Sequence, residues 1–475
     1  MSSVMNDGGN PSNGQAPFFS KEATYAKPGF SRWMVPPAAL AVHLCIGQAY
    51  AFSVFNAPLS KVIGITESAP DDWKLTTLGW IFSLAIFFLG ISAAFAGKWL
   101  ERVGPRRTMF TAACCFGGGF LISALGVYTH QIVLLYLGYG VLGGIGLGLG
   151  YVSPVSTLIR WFPDRRGMAT GMAIMGFGGG AMIAAPLSVA LMNYFKSATS
   201  VGVTQTFLVM GVGYFISMTI GSLAIRVPPP GWKPEGWTPP VVENKMITRN
   251  HVHIDEALKT PQFYLLWLVL FLNVTAGIGV LGQASLLIQE SFKGSVTAAA
   301  AAGFVGLLSL FNMGGRFFWA SSSDWIGRKN TYFVFFALGA VLYWLVPQLG
   351  ASGSIALFVL AYCVIMSMYG GGFATIPAYL ADMFGTAFVG GIHGRLLTAW
   401  AAAGIAGPVL VNYIREYQVA HGVTGAAAYT MTLHIMAALL VVGFICNLLV
   451  SRVNEKHHMS DADVARLGAG TGAAH

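Results

Sequence analysis

Phe311-Asn312-Met-Gly-Gly-Arg316-Phe-Phe-Trp-Ala320-Ser-Ser-Ser-Asp324-Trp-Ile-Gly327-Arg328-Lys329 is the stretch whose reading decides the fold. It closes a run of small and apolar residues that starts at Ala298 and is long enough to cross a bilayer as a helix. One full charge, Arg316, interrupts the run, and a polar exit follows from Asp324 to Lys329. Arg316 precedes Asp324 by eight residues, about 12 Å at the helical rise. With Asp324 at the water boundary, Arg316 falls near the middle of a hydrocarbon layer roughly 30 Å thick. A guanidinium there costs at least ~2.5 kcal/mol on insertion scales and needs a counter-charge or a wet cavity.

The rest of the chain reads the same way. It has 475 residues, a mean hydropathy of +0.64 and only 9% charged residues, too few for a soluble surface. The fold class is therefore an all-α membrane protein with the lipid bilayer as its surroundings. Twelve apolar segments of spanning length occur at 33–58, 76–97, 108–128, 131–156, 168–193, 205–226, 262–289, 298–323, 331–349, 353–379, 389–413 and 429–451. The first 30 residues, rich in Ser, Asn, Gly and Pro, read as a disordered tail without a signal-peptide core. The five cysteines lie inside apolar segments without metal spacing, so no metal or other cofactor is expected. No nucleophile–base constellation points to an enzyme.

Lys and Arg set the orientation. With the N-terminus in the cytoplasm, 20 of the 27 basic residues lie in cytoplasmic loops and tails and 5 outside, while Arg316 and Arg395 fall within spans. Both termini are thus expected in the cytoplasm, with the chain in a bacterial inner membrane. The +9 net charge serves topology, and nucleic acid is not an expected partner. The only long interior loop, 227–260, separates a first six-span half at 31–226 from a second at 261–453, with tails at 1–30 and 454–475.

The halves repeat. Glu101 to Asp324, Gly104 to Gly327 and Pro154 to Pro377 are each 223 positions apart, and Pro186 to Pro408 is 222. Such duplication predicts a substrate site near the midplane between the halves. In both repeated loops a carboxylate ends one helix, a glycine permits a tight turn and basic residues open the next helix. The expected role is a cytoplasmic gate of Gly97, Glu101, Gly104, Arg106, Asp324, Gly327 and Arg328, joined by Arg160 and by Asp382 with Arg395 as its partner. Simple topology determinants are the alternative.

Gly97-Lys-Trp-Leu-Glu101-Arg-Val-Gly104-Pro-Arg106-Arg107 and Ala320-Ser-Ser-Ser-Asp324-Trp-Ile-Gly327-Arg328-Lys329 resemble the paired loop signature of the major facilitator superfamily. Glu101, Pro105 and Ala320 are mild departures from that signature. Arg160-Trp-Phe-Pro163-Asp-Arg-Arg166-Gly-Met-Ala-Thr-Gly171, Ile376-Pro-Ala-Tyr-Leu-Ala-Asp382-Met-Phe-Gly385 and Asn312-Met-Gly-Gly-Arg316 narrow the resemblance to the oxalate/formate antiporter branch, which includes bacterial monocarboxylate carriers. The resemblance implies a fold of twelve helices in two pseudo-symmetric halves. It also implies that Arg316 grips a substrate carboxylate, and that tyrosines such as Tyr151 and Tyr369 bond the substrate or line its path. Members that carry oxalate have a lysine in the eleventh span. Here Thr398-Ala-Trp400-Ala puts Trp400 there, which favours a monoanion.

The residues support the same anchor independently. No acidic residue lies deep in any span, and a planar guanidinium suits a carboxylate bidentately. Arg316 bonded to backbone carbonyls or snorkelling to the surface is the alternative. Asn312 lies one turn earlier on the same face and either donates to the ligand or bonds a neighbouring helix. Tyr151 and Tyr369 also read as ordinary packing aromatics. His43 is the candidate for proton coupling, with His434 behind it; a lone histidine in a helix is also a common packing residue. The expectation is an alternating-access carrier of small monocarboxylates of the formate, lactate or pyruvate type, working as a monomer. Oxalate:formate exchange and an anion sensor are the rivals.

Overall fold

The computed structural model of the chain describes residues 18–238, 246–248, 250–281, 284–423, 425–460 and 462–464. Twelve long helices dominate these residues. We number them α1 (Arg32–Leu59), α2 (Leu75–Val103), α3 (Pro105–Tyr128), α4 (Ile132–Trp161), α5 (Arg166–Phe195) and α6 (Val203–Ala224) in the first set. The second set holds α7 (Pro261–Leu281), α8 (Ala298–Ile326), α9 (Arg328–Ala351), α10 (Ile355–Phe384), α11 (Val389–Ala420) and α12 (Ala427–Leu449). By length and composition, eleven could cross a membrane. The remaining long helix is α8, whose 29 residues include the polar pair Asn312 and Arg316.

The boundaries have local causes. The α2–α3 and α8–α9 junctions are single glycines, Gly104 at φ +82° and Gly327 at φ +85°. Only glycine takes this backbone shape cheaply, so each helix stops and the next begins at once. Pro105 and Pro261 start α3 and α7, where a missing N–H costs nothing. The Thr297 hydroxyl accepts a hydrogen bond from the Ala300 N–H at 3.2 Å and caps α8. α1 tightens into a 3-10 segment at Gly47–Phe55, and α11 is interrupted at Leu397.

Within each set, α1 packs on α5 and α6 and α2 on α4, while α8 packs on α10 and α9 on α12. The sets meet along two seams, α5 against α8 and α10, and α2 against α11. Glycines make both seams. A Cβ on Gly97 of α2 would run into the Gly391 backbone of α11, and one on Gly167 of α5 into the Ala320 carbonyl of α8. Gly140, Gly144 and Gly148 lie against Leu84, Ala85 and Leu89 of α2, the close approach their four-residue spacing suggests. The runs around Gly178 and Gly370 are contact points: a Cβ on Gly178 would meet Met313 and Arg316, and one on Gly370 would meet Asn312.

One end of the bundle carries the repeated loops, the described parts of the linker and both described ends of the chain; we call it the basic end. Of the 1–30 tail expected to be disordered, residues 1–17 lie outside the described residues and the remainder is docked. Lys21 donates to the Glu101 carbonyl at 3.0 Å, and Ala26 and Val227 bond at 2.9 Å. The linker continues across this end: Thr248 N–H donates to the Asp382 carbonyl at 2.7 Å, and Val252 N–H to the Phe384 carbonyl at 2.9 Å.

Candidate functional site

Arg316 is fully buried on α8, in the α5–α8–α10 seam. Its Nε donates to Asn312 Oδ1 at 3.1 Å and its Nη1 to the Ile174 carbonyl of α5 at 3.3 Å. Nη2 has no partner of hydrogen-bond geometry, although the Tyr50 hydroxyl lies beside the guanidinium. Among the described residues no carboxylate pairs with it. Two ring faces cover the cation instead, Phe177 at 5.7 Å and Phe373 at 5.4 Å. Such faces attract a cation but leave its charge uncancelled.

Those rings tie the arginine to the other candidates. Trp400 packs 5.2 Å from Phe177, 4.6 Å from Phe373 and 5.3 Å from Tyr151. Tyr369 packs 5.3 Å from Phe373, and its hydroxyl lies 3.4 Å from that of Tyr50. Arg316, Asn312, Tyr151, Tyr369 and Trp400 therefore fall in one aromatic-walled cluster drawn from both helix sets. Glycines clear its space. A Cβ on Gly277 would collide with the Tyr369 ring, and one on Gly178 would sit 3.1 Å from Arg316 Nε. The Gly277-Ile-Gly279 stretch is thus a seat for Tyr369 and α11.

Sequence reasoning missed Tyr50, Phe177, Phe373 and His393. Tyr50 lies on the 3-10 part of α1, which crosses α5 where Gly47 faces Phe177 and Gly180. Phe177 sits inside Gly176-Phe-Gly-Gly-Gly180, where a lone bulky residue among glycines was the available signal. His43 packs edge-on against Tyr151 at 5.4 Å, and His393 lies 5.9 Å from the same ring. His434 is elsewhere, stacked on Trp344 of α9 at 4.1 Å.

The gate candidates divide. Asp382 at the end of α10 accepts from Arg166 of the other set at 2.9 Å and from Arg328 at 3.0 Å. Arg328 reaches on to Asp324 at 2.5 Å. Asp324 in turn accepts from the Gly167 and Met168 N–H groups at 2.8 and 2.9 Å, at the first turn of α5. A carboxylate there meets unsatisfied donors and the positive helix end. Arg166, not among the expected gate residues, is central to this ion-pair network. Arg160 pairs with Glu101 and also donates to the Ala387 carbonyl across the seam at 3.4 Å.

Two expectations need correction. Arg395 does not pair with Asp382. It bonds Asp255 of the linker helix Ile254–Ala257 at 3.1 Å, and Lys98 of α2 bonds the same carboxylate at 2.7 Å. Asp382 is already occupied by two arginines, and the linker brings Asp255 over the α2–α11 seam. Nor does Arg106 join a carboxylate: it donates to the Phe18 carbonyl at 2.8 Å, holding the N-terminal segment.

Two helix sets are clasped at one end by ion pairs, with a buried arginine in the seam between them, the arrangement expected of transporters built from two repeated halves. The model of the Major Facilitator Superfamily matches residues 29–408, and the chain belongs to that family. It is a multi-pass membrane transporter, not an enzyme. The oxalate:formate antiporter of Oxalobacter formigenes is 28% identical over 79% of this chain and 83% of its own length. Apicoplast pyruvate carrier 1 of Toxoplasma gondii is 23% identical over 82% of this chain and 78% of its own. The likeness to the oxalate/formate branch read from the loop motifs therefore holds. Among solved structures, the fucose:proton symporter FucP of E. coli superposes with a TM-score of 0.63 over 88% of this chain and 99% of its own, at 14% identity, and shares the fold.

Proposed function

We propose that the chain carries small monocarboxylate anions by alternating access, with Arg316 as the anchor for the carboxylate. The observation that carries this reading is a fully buried guanidinium that no described carboxylate of the chain neutralises. An uncompensated buried charge is strongly unfavourable, and a bound carboxylate removes the penalty. Asn312 orients Arg316 Nε, Tyr50 and Tyr369 offer hydroxyls, and Trp400 with Phe177 and Phe373 bounds the space. Arg316 is the only Lys or Arg bonded within the cluster among the described residues, since Arg395 is engaged by Asp255. One cation supports a monoanion over a dianion. In this reading the basic end faces the cytoplasm of a bacterial cell, as the Lys and Arg distribution favours, and the α1–α6 and α7–α12 sets are the rocking halves.

The test is uptake of labelled formate, lactate, pyruvate and oxalate into proteoliposomes. Losing one partner of a buried charge pair costs about 2 kcal/mol or more, so Arg316→Ala and Arg316→Lys should each cut uptake at least about thirtyfold. Near-normal uptake by both variants overturns the anchor. Oxalate taken up as readily as lactate replaces this reading with the exchange activity named for the Oxalobacter relative.

A further inference from the structure

Against the Arg316 cluster, and sharing Tyr151 and Trp400 with it, lies a group of buried polar side chains whose polar atoms are without partners. His43 of α1, Tyr151 of α4 and His393 of α11 are each no more than 2% exposed. Tyr151 stands between the two imidazoles, its ring 5.4 Å from His43 and 5.9 Å from His393. The Tyr151 hydroxyl, His393 Nε2 and Trp400 Nε1 have no hydrogen-bond partner. The His43 nitrogens face only backbone groups, of Tyr151 and Ala173, and make no bond of normal geometry. A buried polar atom without a partner carries a desolvation cost that a proton or a hydrogen-bonding guest removes. The four side chains form one buried cluster joined through the Tyr151 ring, which touches His43, His393 and Trp400.

The cluster straddles the seam. His43 and Tyr151 belong to the first helix set, His393 and Trp400 to the second. It also adjoins both the anion anchor and the gate. Phe177 touches Tyr151 at 5.6 Å and stands over Arg316. One turn before His393, a Cβ on Gly390 would lie 2.9 Å from Glu101 Oε1, an oxygen without a partner.

We propose that His43, Tyr151 and His393 form the proton-binding station of this transporter, so that one proton travels with each carboxylate. The inference rests on the monocarboxylate reading and adds the coupling ion and its site. An imidazole nitrogen takes a proton from water on one side and returns it to water on the other; nothing is oxidised. Charge makes the coupling obligatory. A protonated imidazole beside an unneutralised guanidinium is repelled, whereas a carboxylate on Arg316 cancels that repulsion, and the linkage is reciprocal. The other charged and titratable groups around the station are Arg316 on α8, Tyr50 on α1, Tyr332 on α9 and Tyr369 on α10, with Glu101 and its partner Arg160 toward the basic end. When the sets part at the basic end, His393 moves with α11 while His43 stays with Tyr151, which opens the cluster to water there.

The experiment uses the full chain in proteoliposomes with a pH dye inside, and reads lactate counterflow and lactate-driven proton entry together. Wild type should bring in one proton per anion. His43→Gln and His393→Gln should lower proton entry about tenfold or more, as expected for loss of the titrating side chain. Counterflow in both should stay within about threefold, since Gln supplies polar volume without a proton site. His43→Asn and His393→Asn repeat the comparison where a Gln variant shows no counterflow. Wild-type counterflow without proton entry overturns this inference and leaves the anion anchor standing. So does unchanged proton entry in the histidine variants. Absence of carboxylate counterflow in wild type overturns the carrier reading, and this inference with it.

Discussion

Asp324 closes over the first turn of α5 by accepting a hydrogen bond from the Gly167 N–H at 2.8 Å. A carboxylate of one helix set thereby caps a helix of the other, while Arg328 holds the same carboxylate from the α9 side. This link requires α5 and α8 to stay packed together at the basic end. Asp324→Asn keeps one acceptor oxygen but loses the charge and the second strong acceptor, which costs about 1–2 kcal/mol for a cap of this kind. Hydrogen exchange at Gly167 and Met168 should therefore quicken roughly tenfold in Asp324→Asn, since 1.4 kcal/mol is a factor of ten. Unchanged protection would mean the contact does not help hold the seam.

The α2–α11 seam makes a second, steric prediction. Gly97 meets Gly391 so closely that a Cβ on Gly97 has no room, whereas a Cβ on Gly79 of the same helix meets nothing within 4 Å. Gly97→Val should separate α2 from α11, lower transport several-fold and reduce thermal stability by the ~1–3 kcal/mol typical of overpacking. Gly79→Ala should be neutral or stabilising by up to about 1 kcal/mol through helix propensity alone. Equal behaviour of the two variants would show that the seam is loose.

The repeat, the helix count and Arg316 were legible in the sequence because each depends on one chain segment at a time: apolar length, charge placement, a residue at fixed offset. The place of Asp382 at the end of α10, on the basic end, was legible for the same reason. Its partners were not. Arg160, Arg165 and Arg166 crowd the α4–α5 junction, and only the start of α5 aims Arg166 across the seam. Arg395 was assigned the wrong carboxylate because Asp255 belongs to a linker whose path over the bundle no periodicity reports. Tyr50, Phe177, Phe373 and His393 escaped because ring-to-ring contact depends on the rotation of four helices about their axes, which hydropathy leaves open.

The linker clamp carries a pH signature. The Asp255 carboxyl is held below the ordinary carboxylate range, first by the Lys98 hydrogen bond and then by that of Arg395. A carboxylate depressed in the folded state contributes stability above its unfolded value and loses it as pH falls through the folded one. The difference in melting temperature between wild type and Asp255→Asn should then be constant from pH 8 to about 5 and shrink below about 4, near the ordinary value for aspartate. Because Lys98 and Asp255 are both about half exposed, at 50% and 49%, the contribution should not exceed about 1 kcal/mol. A difference that persists undiminished at low pH would assign the variant's effect to packing.

Trp400 tests whether charge count sets the cargo. It is fully buried, and its ring closes the cluster between Phe373 and Tyr151. Trp400→Lys puts a second cation near Arg316 and removes a large ring at once. Two cations repel without a ligand, and a dianion relieves both while a monoanion relieves one. The variant should lose lactate uptake and gain oxalate relative to lactate by about tenfold or more, a modest share of what a close charge pair provides. Trp400→Leu separates the two effects, since it opens space without charge and should widen acceptance toward larger monocarboxylates while leaving oxalate poor. If both variants shift the oxalate-to-lactate ratio equally, volume rather than charge governs selection, and the single cation at Arg316 does not explain why a monoanion is preferred.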